Sequence, residues 1–298
     1  MPMANIERPV IFGEVLYDCF PDGQAILGGA PFNVAWHLQA FGLSPLFISR
    51  VGNDPLGRRV RDAMCNHGMD TCGLQLDSSH PTGKVTITLS DNSHSFEIIP
   101  DQAYDYIDQD ALPPLPEAAL FYHGSLAARS PVSAQTLAFL RARYNARRMV
   151  DVNLRSPWWQ REMVLDLIDT AWLAKLNDEE LQQLVPGAQD DVTRMRQLTA
   201  HAGLQLLVVT RGAAGAEVLT ADGDSFRVVP DSVTSVVDTV GAGDALTSVL
   251  ILGVLQGWPH QQALERAQTF ASAIVGCRGA IVEAPDFYRP FIDEWELS

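Results

Sequence analysis

The chain has 298 residues, 47% of them hydrophobic, which suffices for one large α/β domain with a small appendage or for two medium domains. A formal net charge of −15 disfavours nucleic acid and anionic membranes as partners. No apolar run reaches the length of a membrane span or forms a secretory signal at the N-terminus, and the four cysteines contain no C-x-x-C pair, so we expect a protein of the reducing cytoplasm.

Short apolar runs alternate along the chain with stretches of helical periodicity. The apolar runs lie at 10–12, 46–48, 149–152 and 206–209, and each leads into a polar or glycine-bearing turn. The helical stretches lie at 32–41, 131–144, 190–202, 244–255 and 260–276. Since buried parallel strands alternate with helices in this way, the pattern predicts a doubly wound, mostly parallel α/β sheet with helices on both faces.

Two segments interrupt this alternation. Residues 14–29 contain a strand-like stretch that ends in two glycines, and residues 82–99 have a hairpin pattern with the polar turn Asp91-Asn92-Ser93. We interpret the two segments as a small antiparallel flap, or lid, on a main domain. The main domain then consists of residues 1–13, 30–81 and 100–298. Exposed strand edges on the flap could pair with a second copy, so a homodimer is one arrangement that the flap allows, although the sequence does not determine the oligomeric state.

The segment DTVGAGD at 238–244, followed by an apolar helix, carries the strongest chemical signal. Glycines before a helix leave its first amides free, and these amides together with the positive end of the helix dipole form an anion site. The Asp244 carboxylate in that first turn would also stabilise the helix without any catalytic function.

The segment resembles the second signature of the ribokinase-like (PfkB) carbohydrate kinases, and four further motifs occur in the order that this family has. The segment GGAPFNVA at 28–35 resembles the first signature of the family, and VGNDPLG at 51–57 matches the block that follows that signature. Residues 177–180 match the N-x-x-E element of the family, and residues 210–215 resemble its T-x-G-x-x-G turn. Five motifs in order are much more specific than any one of them. The chain contains no G-x-x-x-x-G-K-[ST] segment and no G-x-G-x-x-G after its first strand, which disfavours P-loop and dinucleotide-binding proteins.

The resemblance implies a ribokinase-like fold and phosphoryl transfer from ATP. Phosphoryl transfer needs a positioned hydroxyl, a base for its proton, and donors for the migrating charge. Asp244 is the expected base, and the backbone amides of Gly241, Ala242 and Gly243 are the expected donors. Asp238 would orient the loop and, as in the family, help to hold a monovalent cation such as K⁺.

The sugar site is implied by four residues near the N-terminus. Asp18 and Asn33 could be a turn residue and a helix cap, but the family uses these positions to bind sugar hydroxyls. Gly28 and Gly29 would let the backbone approach the sugar ring closely.

The nucleotide and metal sites are implied further along the chain. Glu180 would hold Mg²⁺ through water, although it could also be a solvated residue in a first helical turn. The residues expected near the nucleotide are Asn177, Thr210, Gly212, Gly215 and Gln268. Gln268 stands where the family often has asparagine, so this chain departs from the family pattern at the position expected to contact adenine.

Two further residues keep two interpretations each. Arg155, in the segment DVNLR at 151–155 that is similar to fructokinase-like members, could be a structural ion-pair partner or a contact to substrate or phosphate. Phe96, on the flap hairpin, could belong to the core of the flap or cover the face of the sugar.

The segments GEVLYD at 13–18, GGAPFN at 28–33 and DVNLR resemble fructokinases more than ribokinases. We therefore expect a kinase that converts ATP and D-fructose to fructose 6-phosphate and ADP, with Mg²⁺. Ribokinase, 2-keto-3-deoxygluconate kinase and nucleoside kinase are the alternative enzymes. A keto-acid substrate would need a cationic side chain near the flap, and Lys84 is the cationic residue in the flap hairpin. The alternative of another class is a non-catalytic sugar or nucleotide sensor on the same fold.

Overall fold

A nine-stranded sheet and a separate four-stranded sheet organise the computed structural model, which describes residues 8–90, 93–117, 120–144, 147–230 and 236–297. The strands are β1 (Val10–Phe12), β2 (Leu16–Cys19), β3 (Ala25–Gly28), β4 (Leu46–Gly52), β5 (Leu74–Asp77), β6 (Gly83–Ser90), β7 (Ser93–Ile98), β8 (Phe121–His123), β9 (Arg148–Asp151), β10 (Leu173–Asn177), β11 (Leu206–Thr210), β12 (Ala216–Thr220) and β13 (Ser225–Val228). The helices are α1 (Ala30–Ala40), α2 (Pro55–Asn66), α3 (Pro131–Arg143), α4 (Arg161–Ile168), α5 (Asp178–Leu184), α6 (Asp191–Ala202), α7 (Ala242–Gln256), α8 (His260–Val275) and α9 (Pro285–Glu294).

The large sheet has the order β13-β12-β11-β10-β9-β8-β1-β4-β5, and its neighbouring strands are parallel except in the pairs β11–β12 and β12–β13, so that β12 runs against the direction of the other strands. Successive residues of a strand face opposite sides of the sheet, so Met149 and Leu173 pack in one core with α1, α7 and α8, while Val150 and Ala174 pack in another with α4 to α6. The sheet thus carries helices on both faces, and the predicted doubly wound fold is confirmed.

The small sheet has the order β3-β2-β6-β7, and its four strands fall within the predicted flap segments 14–29 and 82–99. The β2–β3 and β6–β7 pairs are antiparallel, whereas the β2–β6 pair at its centre is parallel. The predicted turn residues Asp91 and Asn92 lie outside the described residues.

Several elements have no counterpart in the predicted pattern, namely α2, α4, α9 and the strands β5, β8, β10, β12 and β13. Helix α2 illustrates the reason. Its buried residues are Gly57, Val60 and Met64, so the helix has few apolar residues although its buried and polar faces are well separated. Its start is determined by Asp54, whose side chain accepts a hydrogen bond from the amide of Gly57 at 2.8 Å.

The carboxyl ends of the parallel strands define one edge of the large sheet. At β1 the strand order reverses, because β4 and β5 lie on one side of it and β8 to β11 on the other. Ligands of open α/β sheets bind at the carboxyl ends of strands beside such a reversal. The fold therefore directs attention to the residues that follow β1, β8, β9, β10 and β11.

Candidate active site

The glycine turn before α7 has a backbone that only glycine suits at its first position. Gly241 has φ of 82°, and a Cβ there would lie 2.4 Å from the Cα of Ala280. The helix begins at Ala242, so Gly243 and Asp244 lie in its first turn, where backbone amides have no intrahelical partner. The Asp244 carboxylate therefore lies at a positive helix end beside the amides of Gly241 and Gly243, whereas the amide of Ala242 donates a long hydrogen bond to the Thr239 carbonyl oxygen at 3.4 Å.

Asp244 contacts a residue that is 211 positions away in the sequence. The Nδ2 of Asn33 donates a hydrogen bond to the Oδ2 of Asp244 at 2.7 Å. Asn33 is buried in α1, and its Oδ1 is buried without a hydrogen-bond partner in the described part of the chain. An orphaned acceptor beside a held carboxylate is an arrangement that a hydroxyl-bearing ligand would complete.

The environment of Asp244 shifts its titration towards neutrality. Burial raises the pKa of this carboxyl to about 6, against the opposing effect of the hydrogen bond from Asn33. The negative charge of Asp151 also raises the pKa, while the positive charges of Lys175 and Arg155 lower it. A carboxyl with a pKa near 6 is a stronger proton acceptor than an ordinary aspartate and still loses its proton at neutral pH.

Asp18 and Arg155 lie near one another at the same edge. Burial raises the pKa of Asp18, and Arg155 opposes that rise. Gly28 pairs with Leu16 across β2–β3 and is a diagonal neighbour of Asp18, so that a Cβ on Gly28 would be 3.8 Å from the Asp18 Oδ2. The side chain of Arg155 makes no ion pair within 4 Å in the described residues, and its charge lowers the pKa of Glu14, Asp18 and Asp244 together.

Glu14 is a site residue to which the sequence analysis assigned no function. It follows β1 and is 3% exposed, and its Oε2 has no partner in the described residues. Burial raises the pKa of Glu14 to about 7, with Arg155 lowering it and Asp244 raising it. The backbone there is crowded, since Gly29 has φ of 108° and a Cβ on it would lie 2.7 Å from the Glu14 carbonyl oxygen.

A second set of residues not found from sequence lies beneath the glycine turn. The Nζ of Lys175, on β10, donates a hydrogen bond to the Oδ2 of Asp151, on β9, at 2.6 Å. The Oγ1 of Thr247 lies 3.2 Å from the same Asp151 oxygen. A lysine between the apolar residues Ala174 and Leu176 of β10 is the signal from which the pair could have been suspected.

Asn177 and Glu180 form the N-terminal cap of α5. The Asn177 side chain accepts a hydrogen bond from the Glu180 amide at 2.8 Å, and Glu180 Oε2 accepts one from the Asn177 amide at 2.8 Å. Glu180 Oε1 accepts a third from the amide of Leu154 at 2.7 Å, which ties the loop before Arg155 to α5. Glu180 is buried rather than solvated, and the expected metal contact remains a prediction.

Asp238 joins two loops beside the glycine turn. One of its carboxylate oxygens accepts a hydrogen bond from the amide of Val240 at 3.0 Å, and the other accepts one from the amide of Gly279 at 3.1 Å. The predicted loop-orienting contacts are therefore present, while a monovalent cation at Asp238 remains a prediction.

The predicted nucleotide residues fall into two groups. Asn177 and Thr210 are partners in the register of β10 and β11, and the turn from Gly212 to Gly215 follows directly. Gly215 has φ of 90°, and a Cβ there would lie 1.9 Å from the carbonyl oxygen of Val228, so no side chain fits. Gln268 lies apart on α8, where its Nε2 donates to the Ser272 hydroxyl at 3.3 Å.

Phe96 and Lys84 lie on opposite faces of the small sheet. Register places Asp18 beside Val85 and Phe96 beside Ile87, so Asp18 and Phe96 share a face. Phe96 is 61% exposed and so lies outside the flap core. Lys84 is paired with Tyr17 and therefore faces away from Asp18.

The chain is similar to known carbohydrate kinases in sequence and in fold. Residues 19–286 match the pfkB family carbohydrate kinase model. A fructokinase of Klebsiella pneumoniae is 32% identical, with 92% of this chain and 95% of the relative covered. A double-mutant fructokinase structure from Vibrio cholerae, bound to fructose, ADP and potassium ion, has a TM-score of 0.81 at 26% identity, with 95% of this chain and 98% of that chain covered.

The structure of aminoimidazole riboside kinase from Salmonella enterica, complexed with its riboside and an ATP analogue, has a TM-score of 0.82 at 26% identity and covers 98% of this chain and 100% of that chain. Within the described residues, no helix is long and apolar enough to cross a bilayer. With the fold, the glycine turn and the Asp244–Asn33 contact all in place, the chain belongs to the pfkB family of carbohydrate kinases.

Proposed function

We propose that the chain transfers the γ-phosphoryl group of ATP to a hydroxymethyl group of D-fructose, giving fructose 6-phosphate and ADP. The hydroxyl oxygen bonds to the γ-phosphorus while the bond from that phosphorus to the β–γ bridging oxygen breaks. The hydroxyl proton passes to Asp244, and the bond electrons leave on ADP. The observation that carries the proposal is the Asp244 carboxylate, held at 2.7 Å by Asn33 in the first turn of α7.

Fixed amides and a base together meet the main requirements of phosphoryl transfer. The amides of Gly241, Ala242 and Gly243 would stabilise the negative charge that spreads over the transferring group. The pKa of about 6 at Asp244 leaves the carboxylate ionised at neutral pH and able to accept a proton.

The side chains of the site fit Mg²⁺ only if the phosphates of the nucleotide supply further ligands to the ion. The described residues contain no group of three or more His, Cys, Asp or Glu side chains that could enclose a metal. Mg²⁺ usually keeps several waters and is bound by one or two carboxylates plus substrate phosphates. Glu180 would hold its hydrated ion, which supplies charge neutralisation to the phosphates, and Asp238 would serve a K⁺ ion.

The choice of fructose rests on the sugar side of the site and on the relatives. Asp18, the free Oδ1 of Asn33 and Arg155 offer acceptors and a donor to a neutral polyol. No described lid side chain on the Asp18 face is cationic, because Lys84 faces the other way, and this disfavours a keto acid held by the lid. The fructokinase relative at 32% identity supports the same sugar.

An assay of the purified chain with ATP, Mg²⁺ and K⁺ tests the proposal. The panel contains fructose, ribose, glucose, 2-keto-3-deoxygluconate, adenosine and aminoimidazole riboside, the last because a kinase for it is among the structural relatives. Fructose should have the highest kcat/KM. If another substrate exceeds it tenfold, the fructose assignment is wrong and the kinase assignment stands. If none is phosphorylated, the sensor becomes the better interpretation.

A further inference from the structure

The ion pair between Lys175 and Asp151 is buried at the carboxyl edge of the sheet. The two side chains are 8% and 2% exposed, and they are partners in the register of β9 and β10. Burial alone would lower the pKa of Lys175, but the carboxylate of Asp151 at 2.6 Å raises it above its ordinary value. The lysine is therefore a permanent positive charge inside the protein.

This charge lies directly behind the glycine turn. The Nζ of Lys175 is 3.3 Å from the point that a Cβ on Gly243 would occupy, so the absence of a side chain at 243 lets the ammonium group approach the turn. Thr247, one turn further along α7, lies 2.9 Å from the Gly243 carbonyl oxygen and 3.2 Å from Asp151. Helix, turn and ion pair are joined by these contacts.

Stability does not explain the pair by itself. Desolvation of two buried charges offsets most of their attraction, and apolar side chains of similar volume often replace such pairs without loss of stability. A fixed charge is more useful where negative charge develops during a reaction, because a preorganised environment stabilises it without rearrangement.

We propose that Lys175 is a positioning residue for phosphoryl transfer: its ammonium group, held by Asp151, supplies fixed positive charge behind the amides of Gly241 to Gly243 and beside Asp244. This inference rests on the proposed function and adds to it a charged layer beneath the glycine turn. Lys175 does not touch the substrate; it acts through the turn and through the base.

Several groups face Asp244 and enter any effect of pH. They come from α1, from the loops after β1 and β9, and from β8, β9 and β10. These groups are Asn33, Glu14, Arg155, Tyr122, Asp151 and Lys175. Loss of Lys175 alone removes an attraction that favours the ionised carboxyl and leaves the repulsion by Asp151, so the pKa of Asp244 should rise.

The test compares Lys175→Met, the double variant Lys175→Met/Asp151→Asn and the control Arg50→Met. The control breaks a different ion pair, Arg50–Asp77 at 2.9 Å on strands β4 and β5, in which Asp77 is buried and Arg50 is 20% exposed. For Lys175→Met we expect kcat to fall about 10²-fold, as for loss of one anion-hole donor, and the acid limb of kcat against pH to move to higher pH. In the double variant the limb should return towards the parent position while kcat stays low.

Measurements of folding and of ligand binding distinguish the proposed effect of Lys175 from a general loss of structure. Each variant is checked by thermal unfolding, and binding of ADP alone and of ADP with Mg²⁺ and aluminium fluoride is measured by calorimetry. Lys175→Met should weaken the fluoride complex and leave the affinity for ADP nearly unchanged. Parent-like kcat, acid limb and fluoride affinity in folded Lys175→Met would overturn the inference, as would an equal loss in Arg50→Met. Absence of turnover in the parent would instead count against the proposed function, and the fluoride measurement would still test Lys175.

Discussion

At Asp244 an amide in place of the carboxyl keeps the shape of the side chain and removes the proton acceptor. Because general-base catalysis contributes about 10²–10⁴ in rate, Asp244→Asn should lower kcat by at least 10²-fold. Its Oδ1 can still accept the hydrogen bond from Asn33, so sugar affinity measured by calorimetry should change little. In the parent enzyme kcat should fall as pH decreases through about 6, where the base becomes protonated. Near-normal turnover by the variant would refute the assignment.

The burial of Glu14 leads to a prediction about the stability of the fold rather than the rate of the reaction. Its pKa is about 7 in the folded chain and 4.5 as an ordinary glutamate, so the unfolded chain loses its proton first as pH rises. The free energy of unfolding should therefore decrease between about pH 4.5 and 7, by roughly 3 kcal/mol for this group. Glu14→Gln cannot ionise and should be more stable than the parent at pH 8 but not at pH 4.5.

Denaturant unfolding at the two pH values measures the effect of Glu14. The control is Glu294→Gln, at an exposed position near the end of α9, which should leave the difference between the two pH values as it is in the parent. If Glu14→Gln also leaves the difference in unfolding free energy between the two pH values unchanged, the Glu14 carboxyl has a partner that keeps it charged.

Among the elements, α5 carries both the expected metal residue and a capping box. Glu180→Gln removes a charge near the phosphates and should raise the Mg²⁺ concentration needed for half-maximal activity. It also loses an acceptor, since Glu180 holds the amides of Asn177 and Leu154. Asp190→Ala, which removes the cap of α6, provides the control for lost capping and should cost about 1 kcal/mol with an unchanged Mg²⁺ curve. Coincident Mg²⁺ curves for Glu180→Gln and the parent would leave Glu180 with the capping function alone.

The small sheet leads to a prediction about motion. If strands β2, β3, β6 and β7 close over the sugar and exclude water, hydrogen exchange in them should slow when fructose is added. The antiparallel strands β12 and β13, at the far edge of the large sheet, are the internal control and should exchange as before. Equal exchange with and without saturating sugar would mean that the small sheet does not close. The division into a main domain and a lid stays a prediction until then.

For the whole molecule, a net charge of −15 opposes the approach of ATP over distances that salt can screen. Raising choline chloride from about 10 to 150 mM should therefore increase kcat/KM for MgATP. KCl at the same ionic strength should increase activity further if a K⁺ ion binds near Asp238, which joins the loops at Val240 and Gly279. Identical curves for the two salts would argue against a potassium site, and a decrease with both would show that long-range repulsion does not limit binding.

Much of the fold and the centre of the site follow from sequence because their signals are local. Glycines before an apolar helix predict the start of α7 and the position of Asp244, and apolar runs followed by turns predict the four parallel strands β1, β4, β9 and β11. Helix α2 escaped prediction because only one narrow stripe of it is buried. Strand β10 escaped because a lysine interrupts its apolar run.

The environment shared by distant groups depends on how the chain packs. Asn33 meets Asp244 because α1 packs against α7, and nothing in either segment specifies that distance. Lys175 meets Asp151 through the register of two strands, which no local pattern encodes. The burial of Glu14 likewise depends on chain that arrives from elsewhere. The motifs and their order can thus be read from the residues alone, whereas the charges around the base are set by packing, because burial and the separation of charges are properties of the folded chain.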